Sequence, residues 1–129
     1  MTAVKNQGAC GGCWAFAAVA SLEGAYQIAT GALRSLSEQQ LLDCSTSFGN
    51  QGCKGGNIVQ AYEYVQMNKG LDSELDYPYI AEDYDPCWTA AANRTVATLT
   101  NWTSLPNGSE PSLIWYKSPV PCYLNFSHN

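Results

Sequence analysis

Histidine is almost missing from this chain: His128 is the only one among 129 residues, and Asn129 follows it. Chemistry that needs an imidazole base has that one candidate. Positive charge is also scarce. Six Lys and Arg face eleven Asp and Glu, for a net charge of −5, which argues against a nucleic-acid partner. No apolar run approaches the ~18 residues that a membrane span needs, so no membrane partner is expected. Met1 is followed at once by TAVKNQG, with neither the basic stretch nor the apolar core of a secretory signal peptide. No internal repeat or low-complexity tract is visible.

What is present points to an oxidising compartment. Six cysteines in a chain of this length are usual for disulfide-bonded proteins. Four N-x-S/T sequons, at Asn93, Asn101, Asn107 and Asn125, agree with passage through the secretory pathway. A chain rich in cysteine and sequons but without a signal peptide reads as part of something longer. The length fits one domain or a piece of a larger one. The acids Asp72, Glu74, Asp76, Glu82, Asp83 and Asp85 crowd one stretch, which reads as a solvated loop.

The early part of the chain is helical. Trp14 to Thr30 is almost wholly apolar and free of proline, with Gly31 at the expected stop. A helix apolar nearly all round is a buried one. Ser37 with Gln40 three residues later fits a capping box, predicting a short helix from about Glu38 to Asp43. Gly49 to Gly56 is glycine-rich and reads as a loop. Ile58, Ala61, Tyr62 and Val65 then follow helical spacing, with an end near Gly70. Tyr77-Pro78-Tyr79 breaks regular structure. Thr95 to Thr103 has strand composition, residues 112–117 a short-helix pattern, and VPCYLNF the start of a strand.

The stretch QGACGGCWAF, residues 7–16, carries the chemical question. Zinc sites favour two closely spaced cysteine pairs; Cys10 and Cys13 make one, but Cys44, Cys53, Cys87 and Cys122 do not make another. A dithiol redox pair is a second reading, although no βαβ pattern surrounds it. Three structural disulfides are a third. A nucleophile reading explains more. Unpaired N–H groups and the dipole at a helix start stabilise an anion, so a thiolate on Cys13 in the first turn is favoured. Gly11 and Gly12 leave room for a substrate backbone. Gln7 offers a side-chain amide beside the Cys13 N–H to hold a developing oxyanion.

These residues resemble the active-site segment of papain-like cysteine proteases, the papain and cathepsin L type, whose local signature is C-G-[SA]-C-[WY]. Gly12 stands at the Ser/Ala position. SLSEQQLLDCS, GCKGG, GLDSELDYPY and LPNGSEPSLI also resemble successive segments of that family. The resemblance implies an α+β, papain-like fold. Residues 1–106 would form the mainly α-helical left domain around a central buried helix, and residues 107–129 the start of the β-rich right domain. It implies Cys13 as nucleophile, Gln7 as oxyanion donor, and disulfides Cys10–Cys53 and Cys44–Cys87. Gly55 and Gly56 would bond an extended polypeptide substrate, Asn57 and Ile58 would shape the P2 pocket, and Gly11 and Gly12 would border P1. No metal or cofactor is implied. The parent protein would be lysosomal, vacuolar or secreted, and its propeptide or right domain would be a partner of this part.

The family pairs its cysteine with a His and an Asn about 130–150 residues downstream. That lies beyond Asn129, and the adjacent His128 and Asn129 do not occupy those places. The chain is therefore expected to be a fragment, inactive alone. Two other functions stay open: a non-enzymatic papain-like module that binds peptides or partner chains, and a dithiol oxidoreductase. Disulfide mapping by mass spectrometry decides the last of these. A Cys10–Cys53 bridge excludes the dithiol enzyme, whereas a Cys10–Cys13 bridge excludes the nucleophile.

Overall fold

The computed structural model describes residues 2–88 and 95–102. Three α-helices form its body: α1 (Cys13–Thr30), α2 (Glu38–Cys44) and α3 (Ile58–Met67). Two 3-10 turns, Thr46–Phe48 and Gly52–Lys54, lie between α2 and α3. Strands β1 (Leu71–Asp72) and β2 (Thr95–Ala97) pair antiparallel, with Leu71 opposite Ala97 and Asp72 opposite Thr95, and a bulge between. Sequons Asn93, Asn107 and Asn125 lie outside the described residues. So do Cys122, His128, the expected right domain and the patterns at 112–117 and 120–126.

Helix α1 ends where Gly31 turns left-handed at φ 75°, its N–H closing on the Gln27 carbonyl at 2.8 Å. It was expected to be buried all round, but it is one-sided. Trp14, Ala15, Ala18, Val19, Leu22 and Ala25 are buried, while Ala17, Ala20 and Ile28 face outward, Ile28 at 77 % exposure. Helices α2 and α3 both pack against α1. Leu36, Leu41, Leu42, Val65 and Leu71 complete the core. Each buried leucine contributes about 1.5–3 kcal/mol before entropy is counted.

Ser37 caps α2, its hydroxyl accepting from the Gln40 N–H at 3.0 Å. The reciprocal half of the capping box is missing. The Gln40 side chain instead bonds the Tyr64 hydroxyl at 3.2 Å and the Asp72 N–H at 2.8 Å, while the Ser37 N–H donates to the Asp72 carbonyl. Gln40 is fully buried, so its amide joins α3 and β1 to α2 rather than closing its own helix. On α3 the buried stripe is Ala61, Tyr64 and Val65, so Ile58 and Tyr62 sit at its margin rather than its centre.

The acidic stretch is also less solvated than its composition predicts. Asp72 is wholly buried. Glu74 accepts from the Tyr79 N–H, Asp76 from the Ser73 hydroxyl, and Asp83 from the Cys53 N–H. Glu82, Asp83 and Asp85 remain on the surface.

A buried ion cluster ties the amino-terminal segment to both long-range partners. The Lys5 ammonium contacts the carboxylates of Glu23 on α1 and Glu38 on α2, at 3.1 and 2.5 Å. Thr2 adds a hydroxyl bond to Glu23, which also accepts from the Leu36 N–H. Glu23 and Glu38 are 4 % and 1 % exposed. Burial pushes the Glu38 carboxyl from 4.5 up to about 7, against the pull of Lys5, and Glu74 adds repulsion.

Below pH 4.5 Glu38 is protonated in both folded and unfolded chains. Between 4.5 and about 7 the folded chain holds the proton more tightly, so stability falls as pH rises through that window. The fall from this residue is at most ~3 kcal/mol. Urea midpoints at pH 5 and pH 7.5 should therefore favour the acid side, and Glu38→Gln should remove most of that difference.

Candidate active site

Cys13 is the first residue of α1, and it is exposed and unbridged. The helix starts at Gly12 without a side-chain cap, which leaves first-turn N–H groups and the positive end of the helix dipole near the thiol. Two loops flank it. The preceding loop carries Gln7 and Gly11, and the following wall is the segment from Gly52 to Ile58.

Three attachments hold that wall against the helix start. Cys10 and Cys53 form a disulfide. The Gly11 N–H donates to the Cys53 carbonyl at 2.9 Å. The Trp14 indole N–H donates to the Gly52 carbonyl at 3.2 Å. A second disulfide, Cys44–Cys87, fastens the end of α2 to the segment after Tyr79.

Two glycines are required by close approach. A Cβ on Gly11 would sit 2.5 Å from the Cys53 carbonyl oxygen, and one on Gly56 would sit 2.5 Å from the Trp14 ring and 2.7 Å from Asn50. Gly56 is exposed on its other side, and Gly55 is half-buried with φ 127°. Gly12 is buried, with the Cys10 sulfur, Leu42 and the Tyr79 hydroxyl around it. Asn57 and Ile58 are exposed at the start of α3. The Asn57 side chain caps that helix, accepting from the Val59 N–H at 2.8 Å. Gln7 lies half-buried in its loop, and the Tyr79 hydroxyl bonds its carbonyl. Cys13, Gly11 and Gly12 thus share one loop–helix junction, which Gly55 and Gly56 adjoin.

Sequence reasoning missed three residues that build this site. Trp14 is 5 % exposed and forms a shelf beneath Gly56; its position next to Cys13 was a usable signal. Asn50 is 3 % exposed, accepts from the Asn57 N–H at 2.7 Å and donates to Ser45 at 2.8 Å. A lone Asn in a glycine-rich loop gives little warning of that role. Tyr79 carried no signal beyond its place after Pro78. Among the described residues, no group of three or more His, Cys, Asp or Glu is placed to hold a metal, and no helix is long and apolar enough to cross a membrane.

An accessible thiol at the head of a helix, beside a glycine-backed wall, is an arrangement suited to nucleophilic attack. The chain belongs to the papain family of cysteine proteases, whose description, papain family cysteine protease, matches residues 1–129. It is 47% identical to cathepsin S of Bos taurus over 133 aligned positions, covering 100% of this chain and 40% of that protein. It is 49% identical to cysteine proteinase 4 of Dictyostelium discoideum over 116 positions, 88% of this chain and 26% of that one. The solved structure of bromelain protease from Ananas comosus, in complex with the inhibitor E64, superposes with a TM-score of 0.79 at 43% identity. It covers 89% of this chain and 51% of bromelain. Digestive procathepsin L 3 of Tenebrio molitor gives the same TM-score at 42% identity, over 88% of this chain and 36% of its own. The chain thus spans between a quarter and two fifths of those two curated relatives.

Gly56→Ala places a methyl group into Trp14 and Asn50. It should destabilise the chain by about 1–3 kcal/mol, read as a lower urea midpoint. An unchanged midpoint would show that the wall gives way without cost.

Proposed function

We propose that this chain is the nucleophile half of a cysteine endopeptidase. Cys13 attacks the carbonyl carbon of a peptide bond while a base outside the described residues takes its proton. A thioester forms, the amine leaves with a proton from the conjugate acid of that base, and water releases the acyl group. The Gln7 side-chain amide and the Cys13 N–H hold the oxyanion of each tetrahedral intermediate. Gly55 and Gly56 bond the main chain of an extended polypeptide, Asn57 and Ile58 wall the P2 side chain, and Gly11 and Gly12 border P1. The observation that carries this reading is the unbridged, exposed Cys13 at the uncapped start of α1, with its neighbour Cys10 committed to Cys53.

The same reading gives the open side of α1 a purpose. Ala17, Ala20 and Ile28 face outward there, a surface suited to a β-rich right domain beginning near residue 107, with residues 1–106 as the left domain. A propeptide is a further partner of the whole protein. Two disulfides and the exposed sequon residue Asn101 support a lysosomal, vacuolar or secreted location.

Replacing the matching segment of bovine cathepsin S with this chain tests the assignment. The chimera should hydrolyse a peptidyl-coumarin amide, and Cys13→Ala should lower kcat by more than about a thousandfold. A folded chimera that is inactive, or active without Cys13, overturns it.

A further inference from the structure

Tyr79 lies outside the motif around Cys13, yet it touches that motif at several points. Its hydroxyl donates to the Gln7 carbonyl at 2.6 Å across 72 positions of sequence. The same hydroxyl lies 3.6 Å from where a Cβ on Gly12 would sit. Its ring packs edge-on against Phe16 in the first turn of α1, with centroids 4.9 Å apart. Its own N–H is fixed by the Glu74 carboxylate at 2.9 Å. Two residues on, the Ala81 methyl lies 3.2 Å from where a Cβ on Gly8 would sit.

The Gln7 loop has few other restraints. Asn6 bonds the Gly8 N–H locally at 2.9 Å, and Lys5 anchors the chain two residues earlier through Glu23 and Glu38. Gln7 itself is half-buried. A glutamine on a short loop with so few restraints samples many side-chain and backbone states, and ordering it has an entropic cost. A donor stabilises an oxyanion best when its position is set before charge develops. Tyr79 is attached at once to the backbone of Gln7 and to the helix that starts at Cys13. It therefore fixes the donor relative to the nucleophile.

We infer that Tyr79 is a positioning residue for the oxyanion site, holding the Gln7 backbone in register with Gly12 and the first turn of α1 through its hydroxyl and ring. The inference rests on the reading of Gln7 as the oxyanion donor.

A peptide aldehyde labelled with carbon-13 at its carbonyl tests both claims on the 129-residue chain. The Cys13 sulfur adds to the aldehyde carbon, the C=O becomes C–OH with the thiol proton, and the former carbonyl oxygen occupies the oxyanion site. Its dissociation constant is read by NMR. The rate of Cys13 alkylation by iodoacetamide, which creates no oxyanion, is the control. Tyr79→Phe keeps the ring and removes one hydrogen bond, so aldehyde binding should weaken about three- to tenfold, with alkylation within about twofold. Gln7→Ala should weaken aldehyde binding more, and Tyr79→Phe should add nothing further in that background. If Gln7→Ala leaves aldehyde binding unchanged, the reading of Gln7 fails, and the role of Tyr79 fails with it. If Gln7→Ala weakens binding but Tyr79→Phe does not, the inference about Tyr79 alone is overturned. The same holds if Tyr79→Phe acts equally in the Gln7→Ala background, or slows alkylation as much as it weakens aldehyde binding.

Discussion

The attachment of the Gly52–Gly56 wall to the head of α1 is the constraint on which the rest of the site depends. A helix start presents unpaired donors to any neighbour, but it becomes a reaction site only when a substrate backbone can be laid beside it. The Cys10–Cys53 bridge, the Gly11–Cys53 backbone bond and the Trp14–Gly52 indole bond set that spacing. They act on different parts of the loop, so none can slide without straining the others. Glycine at 11 is the steric condition for bringing the two backbones together, and glycine at 56 lets the wall lie on the Trp14 ring.

Charge and hydrogen bonding then fasten the outer pieces to this centre. Lys5, Glu23 and Glu38 bring residues 2–7 onto α1 and α2. Buried ion pairs of this kind add little net stability over apolar packing, but removing one partner leaves a buried charge uncompensated. Their contribution here is to direction: they fix where the segment that carries Gln7 leaves α1 and α2. On the other side, Asp43 accepts bonds from Gln39, Tyr77 and Tyr84, knitting the end of α2 to the chain around Cys87.

Much of this was legible in the residues, and the reason is local. The apolar run from Trp14 to Thr30 with Gly31 behind it, Ser37 three residues before Gln40, and the glycine pairs beside cysteine are signals contained within a few positions. They gave α1, the cap of α2 and the candidate nucleophile. What escaped depends on partners far along the chain. Gln40 looks like a capping-box residue until Tyr64 and Asp72 arrive to claim its amide. Glu23 looks like a surface residue until Lys5 and Leu36 fold over it. The side of α3 that is buried shifted from Ile58 and Tyr62 to Tyr64, whose hydroxyl meets the Gln40 amide in the core, whereas the Tyr62 hydroxyl meets Ser21 at the surface. Tyr79 and Asn50 have no local pattern at all, since what they do is join segments brought together by the fold.

The two disulfides interleave: Cys44 lies inside the loop closed by Cys10 and Cys53, and Cys53 lies inside the loop closed by Cys44 and Cys87. Each loop closes over a separation of 43 residues, worth about 4 kcal/mol in the chain-entropy account, though loops that share residues do not add in full. The overlap also bears on the fate of a damaged molecule. One backbone cut anywhere between Cys10 and Cys87 leaves the two pieces covalently joined, and a cut between Cys44 and Cys53 leaves them joined twice. A molecule nicked in the loop that walls Cys13 can thus remain one particle.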